Sequence, residues 1–518
     1  MMTVAGLLLG AFALPAAGRA ANPPVPAAPA APAVPAAPAA PAVVPAAVSK
    51  LPPSRPAGQG MPAEPTIPPP CVTLLATKTA VNDILAAADE DLPDTARIQE
   101  ALKSCPSGQS VKLTTDGGKN ALLTGPLKMV SGVTLWVDAK TTLFASRNPR
   151  DYDRDAGSPT CGTDKFDDSN GCKPLINIEK VNDVGIVGDG VIDGRGGEPM
   201  IGGTQTWWDV AQHAKGPDLK HSNPRLVDVK KVRNFTMYKI SLFNSPKFHV
   251  GLNADHFVVW GVKVITPSRK VNSVGRALTA HYARNTDGID PTGASNGFIG
   301  YSIISVGDDQ IAIKAGSQGP TTNLVIAHNH FGTGHGMSIG SETNAGVSRI
   351  NVFDLSIDGS IDTGGAPKVD LNGIRIKSDP SRGGLVNTIM YTDVCMRDLP
   401  NPIIITPHYS KEEGAEIPEF KNIMLNNVRS ITSPGKQQES VVTLMGYNPE
   451  NLSAISLNNV VVDGPKPPQV HAAFAKVTLG PGPVNFTASG DHVTVEGKIA
   501  SQAPPNPCTG KFIKLPVP

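Results

Sequence analysis

A short hydrophobic alternation recurs along most of the chain, and turn residues follow each copy. Large apolar side chains stand two residues apart, and a polar residue usually comes just before them. Successive copies after Phe235 begin 22, 41, 26, 26, 39, 34 and 32 residues apart. Period-two alternation is typical of β-strands, and a minimum step in the low twenties with variable insertions is typical of a parallel β-helix. The copies begin at Val184, Phe235, Phe257, Phe298, Leu324, Ile350, Ile389, Ile423 and Ile455.

One early segment has helical rather than strand spacing. Ile98, Ala101 and Leu102 fall on one helical face, Asp94 is placed to cap the helix start, and Cys105 with Pro106 ends it. A stack of coils needs a lid on its first coil. We therefore predict an all-β chain, a parallel β-helix from about residue 110 to 500, with a short N-terminal capping helix. A β-sandwich would show hairpin turns at shorter, regular spacing.

Two segments precede the folded part. Residues 2–17 are apolar and Gly18-Arg19-Ala20 resembles a signal-peptidase site, so we predict a signal peptide over residues 1–20. A membrane anchor is the alternative, although the run is short for a spanning helix. Residues 21–70 are mostly Ala and Pro and are predicted to form an extended linker. The folded domain is then residues 71–518, and we expect a soluble, exported monomer.

Charge and cysteine content narrow the function classes. The net charge of +1 provides no overall field for nucleic acid, so attraction for an acidic partner must be local. Six cysteines without a CxxC pair argue against zinc ligation. In an exported chain they favour disulfides, and sequence order suggests Cys71–Cys105, Cys161–Cys172 and Cys395–Cys508. Fifteen pairings are possible, and buried free thiols are the alternative.

Four polar signals lie between Arg284 and Lys377. Asp287, Asp309, His335, Arg375 and Lys377 stand 11 to 15 residues before the start of the next hydrophobic copy. Coils of a parallel stack are about 4.8 Å apart, so these residues should form one patch roughly 15–20 Å long. Each signal alone is weak, but three carboxylates, an imidazole and two cations in phase suit a hydrolase acting on an acidic polymer. The signals are Asn285-Thr286-Asp287-Gly288, Gly307-Asp308-Asp309-Gln310, Gly334-His335-Gly336 and Arg375-Ile376-Lys377.

These motifs, in this order, resemble the signature of the polygalacturonase family of glycoside hydrolases, and secreted bacterial endo-polygalacturonases in particular. The resemblance extends from about Cys71 to near the C-terminus and includes the flanking phrases 244–249 and 401–409. It implies a right-handed parallel β-helix that hydrolyses α-1,4 bonds of polygalacturonate with inversion and without a metal or other cofactor. The implied partner is pectin, with no nucleic acid and no membrane.

The resemblance also implies roles for individual residues. Asp308 resembles the general acid, Asp287 and Asp309 the pair that activates water, and His335 the residue that supports protonation of the acid. Inversion requires one protonated and one ionised carboxyl group, and crowding three carboxylates raises the pKa of at least one. The substrate-binding set is expected to comprise Arg375, Lys377, Tyr409, Asn285 and His249.

Several other functions share this fold. A pectate lyase would use an arginine base and calcium, which the Gly-Asp-Asp and Gly-His-Gly motifs do not favour. A hydrolase acting on rhamnogalacturonan, or an exo-polygalacturonase, is a nearer alternative. A β-helical adhesin would have no reason to place three carboxylates and a histidine in phase.

Overall fold

The computed structural model describes residues 61–155, 157–164, 171–214, 221–360, 371–500 and 508–515. The predicted signal peptide (1–20) and residues 21–60 of the predicted linker lie outside the described residues. In the described part, no helix is long and apolar enough to cross a membrane. The α-helices of this part are α1 (Thr95–Ser104) and α2 (Trp207–His213), and short 3-10 helices span Ala87–Asp89 and Pro149–Tyr152.

Strands account for most of the described chain. In chain order they are β1 (Pro70–Leu75), β2 (Ala80–Val81), β3 (Ile84–Leu85), β4 (Gln109–Thr114), β5 (Ala121–Thr124), β6 (Leu127–Lys128), β7 (Val133–Val137), β8 (Thr142–Ala145), β9 (Ile176–Glu179), β10 (Asn182–Val187), β11 (Val191–Asp193), β12 (Val227–Tyr238), β13 (Ser241–Phe243), β14 (Val250–Trp260), β15 (Lys263–Ile265), β16 (Ile289–Pro291), β17 (Ser295–Gly300), β18 (Ile303–Ser305), β19 (Ile311–Ile313), β20 (Thr321–Phe331), β21 (Met337–Ile339), β22 (Val347–Asp358), β23 (Asn372–Lys377), β24 (Leu385–Arg397), β25 (Asn401–Thr406), β26 (Glu419–Ile431), β27 (Val441–Met445), β28 (Ser453–Val462), β29 (Gln469–Ala473), β30 (Ala475–Leu479) and β31 (Thr494–Gly497).

The strands form a right-handed parallel β-helix, as predicted. A complete coil passes through three parallel sheets, which we name A, B and C after the order of β16, β17 and β18 in a central coil. Sheet A contains β6, β9, the first part of β12 and of β14, β16, β19, β21, β23, β25, β27 and β29. Sheet B runs from β1 to β31, and sheet C begins with β5 and β8. The stack begins at Pro70, earlier than the predicted residue 110.

The register in sheet A is continuous through its central coils. Ile289 pairs with Ile311, Ile311 with Met337, and Met337 with Ile374. All four side chains point inward and are fully buried. Each apolar side chain therefore packs on its counterpart one coil away, and this interior column fixes the height and angular position of the polar residues beside it.

Corner residues explain why a polar residue precedes each hydrophobic copy. At the corner before sheet B, Asn234, His256, Asn323 and Asn422 have φ between 50° and 60°. Asn tolerates this left-handed region better than other side chains with a Cβ. The amide side chains also bond between coils, as Asn323 Nδ2 does to Asn296 Oδ1 at 2.6 Å. The polar positions are thus the corners of the solenoid.

One predicted repeat was placed one residue out of register. Gly297, not Phe298, pairs with Phe257 on one side and Leu324 on the other. The Phe257 ring fills the inward space at this level, because a Cβ on Gly297 would lie 2.0 Å from its Cζ. Phe298 consequently points outward and packs against Val325 and Trp260.

The N-terminal end is covered by α1, as predicted. Ile98, Ala101 and Leu102 are buried against the first coils. The predicted capping bond is not formed, although Asp94 occupies the N-cap position. Its carboxylate instead pairs with Lys78 at 3.1 Å and accepts from the Leu123 amide at 3.0 Å, because these donors come from the coil that the helix covers.

Three disulfides join the pairs suggested by sequence order: Cys71–Cys105, Cys161–Cys172 and Cys395–Cys508. Residues 61–69, the last part of the predicted linker, lie against the outside of sheet B. The Tyr238 hydroxyl donates to Glu64 at 2.5 Å, and Ser110 Oγ donates to the Pro68 carbonyl at 2.8 Å. This end of the linker is therefore attached to the solenoid.

Candidate active site

The register of sheet A brings the sequence signals together on the outside of four adjacent coils. Asp287, Asp309 and His335 each stand two residues before the paired positions Ile289, Ile311 and Met337, so they form one column. Arg375 and Lys377 follow the corresponding Ile374 by one and three residues. The prediction that all signals occupy similar positions is therefore right for the aspartates and the histidine and wrong for the cations, which lie further round their coil.

Asp308 and His335 form a close pair. His335 Nδ1 is 2.9 Å from Asp308 Oδ1, and the His335 amide donates to the Asp308 carbonyl at 2.9 Å. Burial raises the pKa of Asp308, but the charge and hydrogen bond of His335, with Lys377, outweigh burial and hold that pKa well below its ordinary value. Burial lowers the pKa of His335, and Asp308 raises it further than burial lowers it. Both pKa shifts favour an ion pair, with an imidazolium at His335 and a carboxylate at Asp308.

The loop that carries His335 depends on Gln310. Its Nε2 donates to the Gly332 carbonyl at 2.8 Å, and its Oε1 accepts from the Gly336 amide at 2.5 Å. Gly334 has φ of 149°, and a Cβ there would lie 2.6 Å from Gln310 Cδ. Gly334 is needed because it packs directly on this side chain, and Gly336 because a Cβ there would lie 2.1 Å from the Gly373 carbonyl of the next coil.

Asp309 is held by three donors. Lys377 Nζ is 2.8 Å from Oδ2, Arg375 Nη1 is 3.3 Å from Oδ1, and Ser338 Oγ donates to Oδ1 at 2.6 Å. Burial raises the pKa of Asp309, yet Lys377 and Arg375 bring it below the ordinary value. Their side chains are long enough to reach back across the coils.

Asp287 has the opposite environment. It is buried, its Oδ1 has no hydrogen-bond partner, and its Oδ2 is 3.4 Å from Lys314 Nζ. Burial, followed by the charges of Asp290 and Asp308, raises the pKa of Asp287 well above its ordinary value. The expectation that crowding raises at least one carboxyl pKa is met here, and the carboxyl concerned is Asp287 rather than Asp308.

His249 lies beneath Asp287 and is completely buried. Its Nδ1 is 3.0 Å from the Asp287 carbonyl and its Nε2 is 2.7 Å from Thr266 Oγ1. Burial lowers its pKa to about 4, so the ring is neutral. The expected contact of His249 with a ligand does not fit this position, because the ring supports the backbone at Asp287 from inside.

Asn285 and Tyr409 flank the cluster. Asn285 Nδ2 is 3.4 Å from Asp308 Oδ2. The Tyr409 side chain is 43% exposed, and its ring centroid lies 5.4 Å from Arg375 Cζ and 4.9 Å from Lys377 Nζ. Tyr409 is therefore a partly exposed aromatic residue whose ring lies against the two cations.

Sequence reasoning missed Asp290 and Lys314. Lys314 Nζ is 2.8 Å from Asp290 Oδ2, and the Asp290 side chain is buried. Burial lowers the pKa of Lys314, but Asp290 and Asp287 raise it well above the ordinary value. The only signal in the sequence was position: Asp290 comes three residues after Asp287, and Lys314 five after Asp309.

A metal ion would have one candidate position among the described residues. Ligand atoms of Asp308, Asp309 and His335 lie within 4.8 Å of one another. Asp309 is already paired with Arg375 and Lys377, and His335 bonds to Asp308. Positive charge at this cluster is therefore supplied by the Arg375, Lys377 and His335 side chains.

Carboxylates with opposed charge environments, in a line across adjacent coils of a parallel β-helix, are an arrangement suited to glycoside hydrolysis. The sequence matches the family described as "Glycosyl hydrolases family 28" over residues 108–478. The chain belongs to this family.

Several bacterial relatives are matched over most of their length. A "Polygalacturonase" of Ralstonia nicotianae is 40% identical over 491 residues, which cover 86% of this chain and 90% of the relative. An "Endo-polygalacturonase" of Pectobacterium carotovorum subsp. carotovorum is 40% identical over 368 residues, covering 71% and 83%. The solved polygalacturonase from Erwinia carotovora ssp. carotovora superimposes with a TM-score of 0.63 at 35% identity, covering 85% of this chain and all of that one.

Proposed function

We propose that this hydrolase cleaves the α-1,4 bonds between galacturonic acid units of polygalacturonate, within the polymer, by single displacement with inversion. The observation that carries the proposal is the line of Asp287, Asp308 and Asp309 beside Arg375 and Lys377. The carboxylates suit acid–base hydrolysis, and the cations suit a substrate that is itself a polyanion. The relatives named polygalacturonase and endo-polygalacturonase support the same substrate.

Asp308 is the proposed general acid. The pKa shifts of the pair favour the shared proton on His335, 2.9 Å away. A sugar that covers the groove excludes water, which disfavours the separated charges of an imidazolium and a carboxylate. The proton then moves along the existing hydrogen bond to Asp308, which passes it to the departing glycosidic oxygen. The two groups titrate as one unit.

Inversion requires that water, not a carboxylate, attacks the anomeric carbon. Nearest oxygens of Asp308 and Asp309 lie within 4.8 Å, shorter than the roughly 6.5–9.5 Å usual between the carboxyl groups of inverting enzymes. Direct attack by Asp309 is nevertheless disfavoured, because Lys377, Arg375 and Ser338 occupy both of its oxygens. ¹H NMR of the first product tests this point: inversion gives the β-anomer, and an α-anomer would contradict it.

Around the acids, Arg375 and Lys377 bind a substrate carboxylate, and Tyr409 and Asn285 contact the sugars. A charge-assisted hydrogen bond to a carboxylate contributes about 1.5–3 kcal/mol. We propose that the enzyme acts as a monomer outside the cell, for which the three disulfides are support.

The deciding assay measures reducing ends and ultraviolet absorbance on polygalacturonate, with and without a chelator. We expect new reducing ends without an absorbance increase, and no effect of the chelator. An absorbance increase that the chelator abolishes would indicate a calcium-dependent lyase. Product size separates the nearest alternative, because internal cleavage gives mixed oligomers early and an exo-enzyme releases one short product throughout.

Roles within the carboxylate cluster are separated by leaving-group chemistry. General-acid assistance is worth about 10²–10⁴-fold, so Asp308→Asn, Asp287→Asn and Asp309→Asn should each reduce turnover of the polymer by several orders of magnitude. An oligogalacturonide with an activated phenol at its reducing end needs no acid. Turnover of that substrate should recover in Asp308→Asn alone. Recovery in Asp287→Asn instead would make Asp287 the acid.

A further inference from the structure

We propose that Asp290 and Lys314 are positioning residues that make Asp287, rather than Asp309, the carboxylate that takes the proton from the attacking water. This inference rests on the proposed hydrolysis and deepens it. In the step concerned, a water O–H bond breaks and its oxygen bonds to the anomeric carbon. The water proton goes to Asp287, and the Asp308 proton goes to the leaving oxygen.

Lys314 and Lys377 each contact an aspartate on an earlier coil: Asp287 lies one coil before Lys314, and Asp309 lies two coils before Lys377. Lys314 follows Ile313 and Lys377 follows Ile376, and both isoleucines pair with Ile339 on the coil between them. The two lysines therefore lie in one column, two coils apart. Lys377 Nζ is 2.8 Å from Asp309, whereas Lys314 Nζ is 3.4 Å from Asp287 and 2.8 Å from Asp290. Asp290 therefore holds Lys314 away from Asp287.

This division leaves the two aspartates unequal as bases. Asp309 accepts from three donors, two of them cations, and a proton on Asp309 would neutralise the charge that holds Arg375 and Lys377. Asp287 has one weak cation contact and an oxygen without a partner. A proton added to Asp287 breaks no strong interaction, so Asp287 can act as the base while Asp309 stays ionised and orients the water.

The charged groups around Asp287 support the assignment. Asp290 lies on its own coil, Asp308, Asp309 and Lys314 on the next, and His249 beneath it is neutral. Burial and Asp290 raise the pKa of Asp287, and Lys314 opposes them. Glu342 faces Lys314 from the following coil, and Arg225 faces Asp290 from the other side. Of these groups, Asp290 and Lys314 act on Asp287 with opposite sign without being acid or base themselves.

The test is the acidic limb of the pH profile of kcat, because Asp287 must be ionised to accept a proton. Asp290→Asn removes a negative neighbour and releases Lys314 toward Asp287, so the limb should move to lower pH. Lys314→Met removes the positive neighbour, so the limb should move to higher pH. Each shift should be about one pH unit or more, as expected for charges within about 4–6 Å. Lys314→Arg keeps the charge and should stay near the parent profile.

Lys78→Met is the matched control. Lys78 also forms a buried pair with an aspartate, Asp94, at 3.1 Å, but under the N-terminal helix. Lys78→Met should lower stability and leave the acidic and basic limbs of the pH profile of kcat unchanged. Limbs that stay fixed in Asp290→Asn and Lys314→Met, or that move in the same direction, would overturn the proposal. If Lys314→Met does not fold, Asp290→Asn and Lys314→Arg carry the comparison.

A readout without substrate separates this inference from the proposed function. The carboxyl ¹³C resonance of Asp287, assigned by its loss in Asp287→Asn, should titrate at lower pH in Asp290→Asn than in the parent. An unchanged titration contradicts the positioning role even if polygalacturonate is hydrolysed. A shifted titration in a protein inactive on polygalacturonate would instead count against the substrate.

Discussion

The two cations Arg375 and Lys377 have two tasks at once. Both side chains form ion pairs with Asp309, and in the proposed complex they also face a substrate carboxylate. A carboxylate that arrives beside them joins an existing ion pair rather than meeting isolated charges. Their removal should consequently affect both the catalytic carboxylate and the grip on substrate.

Lys377→Met is expected to raise KM for polygalacturonate about ten- to over a hundredfold, from the loss of roughly 1.5–3 kcal/mol, and to lower kcat because Asp309 loses its 2.8 Å partner. Arg375→Lys should also impair binding, since the planar two-donor geometry is lost. Steady-state kinetics on polygalacturonate and on fully methyl-esterified pectin checks this. The KM effect should vanish on the ester while the kcat effect remains.

Lys466→Met provides the control for that experiment, because Lys466 pairs with Glu439 on the exposed surface. Its kinetics should match the parent on both substrates. Equal KM losses on charged and esterified polymer would show that Arg375 and Lys377 only hold the structure of the site.

Individual site residues were predictable where a motif marked them. Asp287, Asp308, Asp309 and His335 stand in short patterns with glycine or asparagine neighbours, and the structure places them side by side. Asp290 and Lys314 stand in no such pattern, and their importance comes from coil register, which brings Lys314 to 2.8 Å from Asp290. His249 shows the converse: a motif residue whose burial only coordinates could reveal.

At the scale of elements, alternation predicted the strands and spacing predicted their parallel stacking. The register error at Phe298 arose because Gly297 is small enough to accept the ring of Phe257 from the neighbouring coil. The sequence of one strand does not reveal that a side chain from the neighbouring coil fills its inward-facing space. The capping helix was recognisable from its own periodicity, whereas the partners of Asp94 belong to another coil.

The helix α1 should stabilise the first coils without affecting the chemistry. Leu102 is fully buried beneath it, and Leu102→Ala should cost about 2–5 kcal/mol through the lost contacts and the cavity. Because each coil contacts its neighbours, hydrogen exchange should rise in β1, β4 and β6 and stay slow in β19 to β23, with kcat unchanged. Lys103→Ala, on the exposed side of α1, is the control. A uniform rise through all coils would contradict this local role.

At the scale of the whole molecule, the Cys395–Cys508 disulfide closes the longest loop of the three disulfides, with a sequence separation of 113 residues. It attaches residues 508–515 to β24, and Lys511 adds a 2.7 Å contact to Asp354. The Cys161–Cys172 bond, in contrast, spans only 11 residues.

Loop-closure entropy gives about 5 kcal/mol for the long loop and about 3 kcal/mol for the short one. Cys395→Ala with Cys508→Ala should therefore lower the unfolding midpoint in denaturant more than Cys161→Ala with Cys172→Ala. Limited proteolysis of the first double variant should release a C-terminal fragment. The reverse order of midpoints would show that strain or local packing, rather than chain closure, dominates.

The coils that carry the site differ greatly in length while their register does not. Ile289 and Ile311 are 22 residues apart, Ile311 and Met337 are 26 apart, and Met337 and Ile374 are 37 apart, yet each pair is aligned. The number of residues between paired positions can thus change without a change in register. Evolution, or a protein engineer, can therefore exchange a groove-side loop to change which polysaccharide is accepted and leave the reacting atoms where they are. In this architecture, the residues that determine substrate range can change independently of the residues that carry out the reaction.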